Sequence, residues 1–565
     1  MPRSCFIAIT RAPAHGALLF LSLLFGPMVM AATPGPNYAP GQIERQLDDT
    51  RHAKPPPAEE AVSIQRTTDN RAADDQPSFI LSAVLIEGVS VYKTVDFVPL
   101  YQQLLGTPVT YESLVDLADA ITRFYRRDGY LLAHAFIPKQ HISHGVIRIR
   151  IQEGYVLAVD TGQTIQTGSP VREQLQFLQN QRPLTRDGFQ RVVMALRALP
   201  DIDIRPQFSE APDEPGAFIL HLNMRQKHVD GVITVDNRGS ELVGPVKAIM
   251  NLRTFNLTGQ HEVYQAKLAT TADANELQYA ELSTVWPLPL TGLTLHVSGF
   301  RTTSRPGGSL EDYDVYVDNR GLTLGLSYML IASFDRQLTL TGDLAQYQSR
   351  TDVKNVPYLE DRLDHFTLAL ADIRKLDSGA LASYSIGMTH GLDLDNTFTR
   401  NYVSPDQNAE TDFAKIDLDG YYQRNIFSGR ALSISASAQY ALDKLPNSQR
   451  FSVGGSRFSN ANDPSEISGD HGLGLRIELA GKPHETLSRL SARLFAYYGV
   501  GATWNINDNK VDECESAASL GTGMRFSSAA VSGFIEAGKP LTRAVAEQGA
   551  DYKDTRVFAG MTLRF

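Results

Sequence analysis

Asp463, Glu466, Asp470 and His471 fall within one short stretch of the chain. Carboxylates beside an imidazole are the parts of general acid–base catalysis, or of a metal site. Their spacing follows no ligand pattern, however, and Asp, Ser and Gly are the ordinary residues of turns in an outer loop. Asp393 and Asp395 could suit calcium, yet they read as a strand end lined with charge, and His141 and His144 read as solvated residues of a hairpin. Cys514 is the single thiol left once Cys5 departs with the N-terminus, which rules out an internal disulfide and makes no case for a thiol-built metal or redox centre. The formal charge of −10 argues against nucleic acid as a partner. The expectation is a protein without catalysis, cofactor or metal.

The elements that must position these residues are strands. From Thr555 to Phe565 the chain alternates, with Val557, Ala559, Met561, Leu563 and Phe565 on one face and Arg556, Gly560, Thr562 and Arg564 on the other. One face touching lipid and the other lining a wet lumen produces this pattern. Leu432, Ile434, Ala436, Ala438 and Tyr440 repeat it against Ser433, Ser435, Ser437 and Gln439, as do Leu322, Leu324, Leu326 and Tyr328 against Thr323, Gly325 and Ser327. A soluble array of β-sandwiches would not alternate so evenly with small polar residues. With strands of about 10 residues plus turns and loops, residues 229–565 suit a transmembrane antiparallel β-barrel of about 16 strands.

Ahead of the barrel the chain divides into four. Residues 1–31 read as a secretory signal, from Arg3 and Arg11, the apolar run Ala17 to Phe25 and the small-residue end Val29-Met30-Ala31. Residues 32–77 are polar and proline-rich, too poor in apolar side chains to fold alone. Within them Gln42 to Thr50 can form a short helix with Ile43 and Leu47 at i, i+4, although a plain linker is the other reading. Residues 78–156 and 157–228 each read β-α-α-β-β, with Leu114, Leu117, Ala118, Ile121 and Phe124 sharing a helix face in the first and Phe189, Val192, Val193, Leu196 and Leu199 in the second.

Two such modules before a barrel resemble the TpsB transporters of two-partner secretion (the ShlB/FhaC/HecB-like family), in which POTRA domains precede an outer-membrane barrel. The residues carrying the resemblance are Gly41-Gln42; Arg127-Asp128-Gly129-Tyr130, Pro138, Gln140, Gly145 and Glu153-Gly154-Tyr155; then Asp236-Asn237-Arg238-Gly239, Gly244 and Asn256-Leu257-Thr258-Gly259. The resemblance implies that the Ile43 and Leu47 helix plugs the pore and that the modules lie in the periplasm. It implies a large secreted TpsA-type partner of the haemolysin or filamentous adhesin kind, captured unfolded and exported through the barrel to the surface. It also implies contact with outer-membrane lipid and lipopolysaccharide, and the barrel assembly machinery as a partner during biogenesis, with Phe565 as the assembly signal. A barrel assembly factor shares the architecture and is the alternative; a diffusion porin would not need the modules.

In this family a long loop between late strands folds back into the barrel. Gly454-Gly455 and Ser468-Gly469-Asp470 match its two ends, and Asp463-Pro464-Ser465-Glu466 resembles one form of its middle. The tip arginine of the family falls at Asn460, and its aspartate partner, in a motif matched by Phe495 to Gly501, falls at Gly499. Both halves of the ion pair are thus absent, which is easier than losing one. The loop is therefore expected to rest on hydrogen bonds and packing, with Arg457 either solvated or a substitute anchor.

Overall fold

The structure, a computed structural model, describes residues 63–65, 78–162, 169–288, 292–403, 409–486, 490–506, 514–543 and 553–565. The expected signal and the Ile43 and Leu47 helix lie outside the described residues.

Alternation at period two runs through the C-terminal part and closes it into an antiparallel barrel. The strands are β1 (Val229–Asp236), β2 (Lys247–Phe255), β3 (Val263–Thr271), β4 (Gln278–Pro287), β5 (Leu293–Ser304), β6 (Val315–Ala332), β7 (Arg336–Val353) and β8 (Val356–Lys375). They continue with β9 (Leu381–Leu392, resumed at Phe398–Asn401), β10 (Ala414–Ile426), β11 (Arg430–Ala441) and β12 (His471–Ala480, resumed at His484–Thr486). Then come β13 (Leu490–Trp504), β14 (Cys514–Ser527), β15 (Val531–Pro540) and β16 (Arg556–Arg564). Both resumed segments pair with the same neighbour as the strand they extend, so the barrel has 16 staves, as the alternation predicts.

The seam between β1 and β16 runs from Val232 opposite Arg564 to Asp236 opposite Gly560. Thr234 and Thr562 meet through their hydroxyls at 3.0 Å inside it. At its inner end Gly231 and Phe565 exchange backbone hydrogen bonds of 2.8 and 3.0 Å, and the Phe565 ring occupies the space a Cβ at 231 would need. At its outer end the Asn237 amide continues the ladder, donating to Val557 O at 3.1 Å and accepting from Ala559 N at 2.7 Å.

The expected faces are the observed ones. Leu322, Leu344, Tyr440, Leu494, Val557 and Met561 are exposed, while Ser437, Gln439, Phe495 and Tyr497 are buried. A one-residue slip would put every one of these apolar side chains in the wet lumen, so the pattern dictates the register.

The modules form their own cores. In the first, Tyr111–Arg127 packs Leu114, Leu117, Ala118 and Ile121 against a sheet of Ala83–Glu87, Val146–Gln152 and His134–Phe136. The second packs Ser169–Asn180 and Arg186–Arg197 on a sheet containing Tyr155–Asp160, Ala217–His221 and Gln207–Glu210. Tyr155–Asp160 straddles residue 156, where the sequence reading divides the modules. Ser63–Gln65, from the proline-rich stretch, adds as a parallel edge strand beside Gln207–Glu210. The chain thus already performs strand addition on the second module with its own backbone.

The second module seats on the periplasmic turns of the barrel. Asp201, with no exposed surface, accepts from His261 Nδ1 at 3.0 Å, and His261 lies in the turn between β2 and β3. Gln226 Nε2 donates to the same carboxylate at 2.9 Å. Phe334, in the turn between β6 and β7, joins the module core, with the Arg197 guanidinium 5.4 Å from its ring centre.

Candidate functional site

Gly454 and Gly455 start the inward loop with φ of +118° and +76°, conformations that a side chain would strain, and a Cβ at 454 would overlap the Asp463 carbonyl oxygen. The chain then enters the barrel. Phe458, Ser459, Ala461, Asn462 and Asp463 are 0–1% exposed, and Asn460 is 5% exposed. Phe458 packs with Phe451, Val453, Ile467 and Ala517, so an apolar cluster fills one side of the lumen where polar residues alone would leave a wet gap.

Asn460 sits at the tip, between opposite charges. Its Nδ2 donates to Glu536 Oε1 on β15 at 3.1 Å, and its Oδ1 accepts from Arg476 Nη1 on β12. A primary amide carries donor and acceptor at once, so one neutral side chain satisfies both. Glu536, 1% exposed, also receives Arg238, whose guanidinium lies 3.8 Å from the Phe534 ring centre. The Asp236-Asn237-Arg238-Gly239 motif therefore divides its work, Asn237 on the seam and Arg238 on the Glu536 hub. Beneath the tip, Glu478 is shared by Arg476 Nη2 at 2.8 Å and Arg525 Nη2 at 2.8 Å, and Arg525 lies 3.9 Å from the Phe495 ring centre.

The second anchor is a charge pair, and here the sequence expectation is corrected. Asp463, fully buried, accepts from Arg556 Nη1 at 2.7 Å and from Glu241 N at 3.1 Å. Arg556 also donates to Ala461 O and to Glu241 Oε1, each at 3.1 Å. The loop is thus not held by neutral hydrogen bonds and packing alone. The pair spans Asp463 in the loop to Arg556 in the last strand, positions that only barrel closure brings together.

Gly499 does border the loop, but the Cβ of any other residue there would overlap the Phe458 carbonyl oxygen, and Gly499 pairs in register with Arg476. No room exists for an aspartate while Phe458 stays in place. Gly501 leaves similar space for Val453. Arg457 is neither freely solvated nor the main anchor: half exposed, it bonds Asp419 on β10 and Ser437 Oγ on β11, the latter at 2.6 Å. Asp470 ends the loop by accepting from Leu445 N at 3.0 Å and Ile506 N at 2.8 Å, while Gly469 lies against Thr503 and Trp504. His471 accepts from Ala441 N at 3.2 Å through Nδ1. Among the described residues no three His, Cys, Asp or Glu gather as a metal would require.

Sequence reading missed Arg476, Glu478, Glu536 and Arg525. Their signal was an inward charge at alternating positions, which shows a lumen-facing residue without its partner.

The module motifs are latches. Glu153 accepts from Ser90 N at 2.8 Å, Val91 N at 3.1 Å and Tyr125 Oη at 2.8 Å. Burial pushes its carboxyl up, but the Ser90 hydroxyl and these donors outweigh that and hold it below the usual carboxylate range. Asp128 accepts from Tyr92 Oη at 2.8 Å, and Gln140 bonds Arg148 N and O at 2.7 and 2.8 Å. Gly154, at φ +76°, lies against Leu132 where no Cβ would fit.

Comparison with known proteins places this architecture among secretion barrels. A family model described as haemolysin secretion/activation protein ShlB/FhaC/HecB matches residues 219–526, and one described as POTRA domain, ShlB-type, matches residues 79–154. The outer membrane transporter CdiB of Escherichia coli is 25% identical over 557 residues, covering 92% of this chain and 89% of that protein. The heme/hemopexin transporter protein HuxB of Haemophilus influenzae is 21% identical over 443 residues, covering 75% of this chain and 76% of its own. The solved structure of CdiB from Escherichia coli superposes with a TM-score of 0.67 at 19% identity, over 92% of this chain and 96% of that one.

Proposed function

The chain belongs to the ShlB/FhaC/HecB family of haemolysin secretion/activation proteins and is an outer-membrane transporter of the TpsB type with periplasmic modules; from that premise we propose that it exports one large TpsA-type exoprotein, of the haemolysin or filamentous adhesin kind, from periplasm to surface. The observation that carries this reading is the inward loop. Its tip is held by Glu536 and Arg476 and its shoulder by Arg556 on the seam strand, so one release would open the lumen. A loop held by a few buried polar contacts is bistable: it is either seated or out.

The modules, seated under the mouth by His261 and Phe334, would receive the partner's N-terminal segment while it is unfolded. Strand addition suits this, because it reads backbone before side chain. Ser63–Gln65 covers the Gln207–Glu210 edge of the second module, so the edges we assign to the partner are Tyr155–Asp160 on the far side of that sheet and Ala83–Glu87 and His134–Phe136 in the first module. The drive is folding of the exported chain outside the cell. Ile43 and Leu47 are assigned to a plug helix, and Phe565, its ring against Gly231 on the outer face, to recognition by the barrel assembly machinery.

Deleting the gene should remove one large protein from the surface and culture medium while leaving the other outer-membrane barrels at normal abundance. Depletion of many barrels instead would make the protein an assembly factor and refute this reading.

A further inference from the structure

On β7, β8, β10 and β11 the outward face ends, at the periplasmic side, in arginine. Odd-numbered strands run outward from the modules, so β7 and β11 start, and β8 and β10 end, at the periplasmic rim. Arg336 and Arg374 oppose each other in register, and both continue the exposed rows of Leu344, Phe366 and Leu368. Arg424 and Arg430 likewise continue the row of Leu418 and Tyr440 and are exposed. Elsewhere on the rim the outward positions include Tyr264, Trp286, Tyr328, Phe526 and Phe565, the aromatic residues expected where a barrel leaves the bilayer, among aliphatic ones such as Leu293, Leu490 and Val531.

Two details distinguish this arc from scattered surface charge. Asp372, buried with 3% of its side chain exposed, accepts from Arg336 Nη2 at 2.7 Å, Arg374 Nη2 at 2.7 Å and Tyr384 Oη at 3.0 Å. One carboxylate thereby holds two guanidiniums side by side at the outer surface, each still more than a third exposed, and leaves the cluster positive. Between Arg424 and Arg430, Phe427 is 82% exposed at the tip of its turn. A bare aromatic flanked by arginines at a membrane boundary is suited to an acyl–headgroup interface, with the ring among glycerol backbones and the cations at phosphates.

We propose that this arc, Arg336, Arg374, Arg424 and Arg430 with Tyr384 and Phe427, binds headgroups of anionic phospholipids in the periplasmic leaflet. The guanidinium forks of Arg424 and Arg430 match a phosphodiester in a bidentate manner, Arg336 and Arg374 keep Nη1 beyond the Nε and Nη2 that donate to Asp372, and a leaflet lipid brings its phosphate to this height. The arc begins at the β6–β7 turn, where Phe334 seats the second module. Bound lipid would therefore lie beside the docking point of the modules.

The test uses the full-length protein in nanodiscs of phosphatidylcholine containing a minor share of phosphatidylglycerol, with retained lipid counted by native mass spectrometry. The parent should retain phosphatidylglycerol selectively. R424Q/R430Q, which uncovers no buried partner, should weaken retention by about twenty-five-fold, from about fivefold for each arginine near an anionic surface. Half-molar salt should weaken it as well. R148Q/R150Q, an equal charge loss around Glu87 in the first module and away from the bilayer, should leave retention unchanged. Equal retention of phosphatidylcholine by the parent, normal phosphatidylglycerol retention in R424Q/R430Q, or an equal loss in R148Q/R150Q would each overturn the proposal. So would displacement by millimolar inorganic phosphate, which would mark an ion site and not a lipid one. Heat-modifiable migration of each variant verifies the folded barrel.

Discussion

Replacing Arg556 by Gln should release the inward loop. Asp463 has no exposed surface and Arg556 only 10% of its side chain, so the change leaves a buried carboxylate with one backbone donor, Glu241 N at 3.1 Å. Removing one member of a buried ion pair costs about 3–5 kcal/mol, mostly through the stranded charge. At 1.4 kcal/mol per decade, that moves the seated-to-released ratio of the loop by about two to four decades. Asp463→Asn should cost less, because Arg556 keeps Glu241 Oε1 and Ala461 O. The double variant should recover part of the loss, with a coupling of about 1–3 kcal/mol. The assay is maleimide labelling of Ser459→Cys, fully buried at the tip, in a background with Cys514 replaced by Ser. Labelling should be slow in the parent and at least a hundredfold faster with Arg556→Gln. If the rates match, or the two changes add without coupling, the pair does not hold the loop and the reasoning fails.

Gly499→Ala should by itself displace the tip, because its methyl meets the Phe458 carbonyl; overpacking of this kind costs about 1–3 kcal/mol, and unchanged labelling of Ser459→Cys would contradict it. Asp201→Asn or His261→Ala should loosen the second module from the barrel by about 1–3 kcal/mol, seen as faster proteolysis near residues 225–229 with the barrel still heat-modifiable. Glu153 is held below the usual carboxylate range, so its contribution is present above that range and is lost as pH falls through its folded value. Exchange protection of the Ser90 and Val91 amides, corrected for intrinsic rate, should fall on acidification in the parent and be low at every pH in Glu153→Gln. Deleting residues 37–54 should raise single-channel conductance in planar bilayers while secretion largely persists; unchanged conductance would assign that stretch to linker.

The order of modules, the barrel and the face each strand shows to lipid follow from sequence, because period-two alternation is local and a single slip would put leucines in water. Val557, Met561 and Leu563 disclose the lipid face of β16 from eleven residues alone. The ends of the inward loop are legible only through the family resemblance, on Gly454-Gly455 and Ser468-Gly469-Asp470; that both glycines take positive φ, with Gly454 against the Asp463 carbonyl, belongs to the folded loop. What grips that loop is another matter. Alternation says that Arg476, Glu478, Glu536 and Arg556 point inward, yet partners across a lumen depend on strand count, shear and closure. Asn460 reads as the loss of an anchor in sequence and is, in the closed barrel, an amide placed between Arg476 and Glu536. Arg556 reads as one more lumenal charge until the chain closes β16 onto β1 and brings it to Asp463. Faces are set by neighbours along the chain, whereas pairings are set by the circumference, and only the tertiary structure contains that.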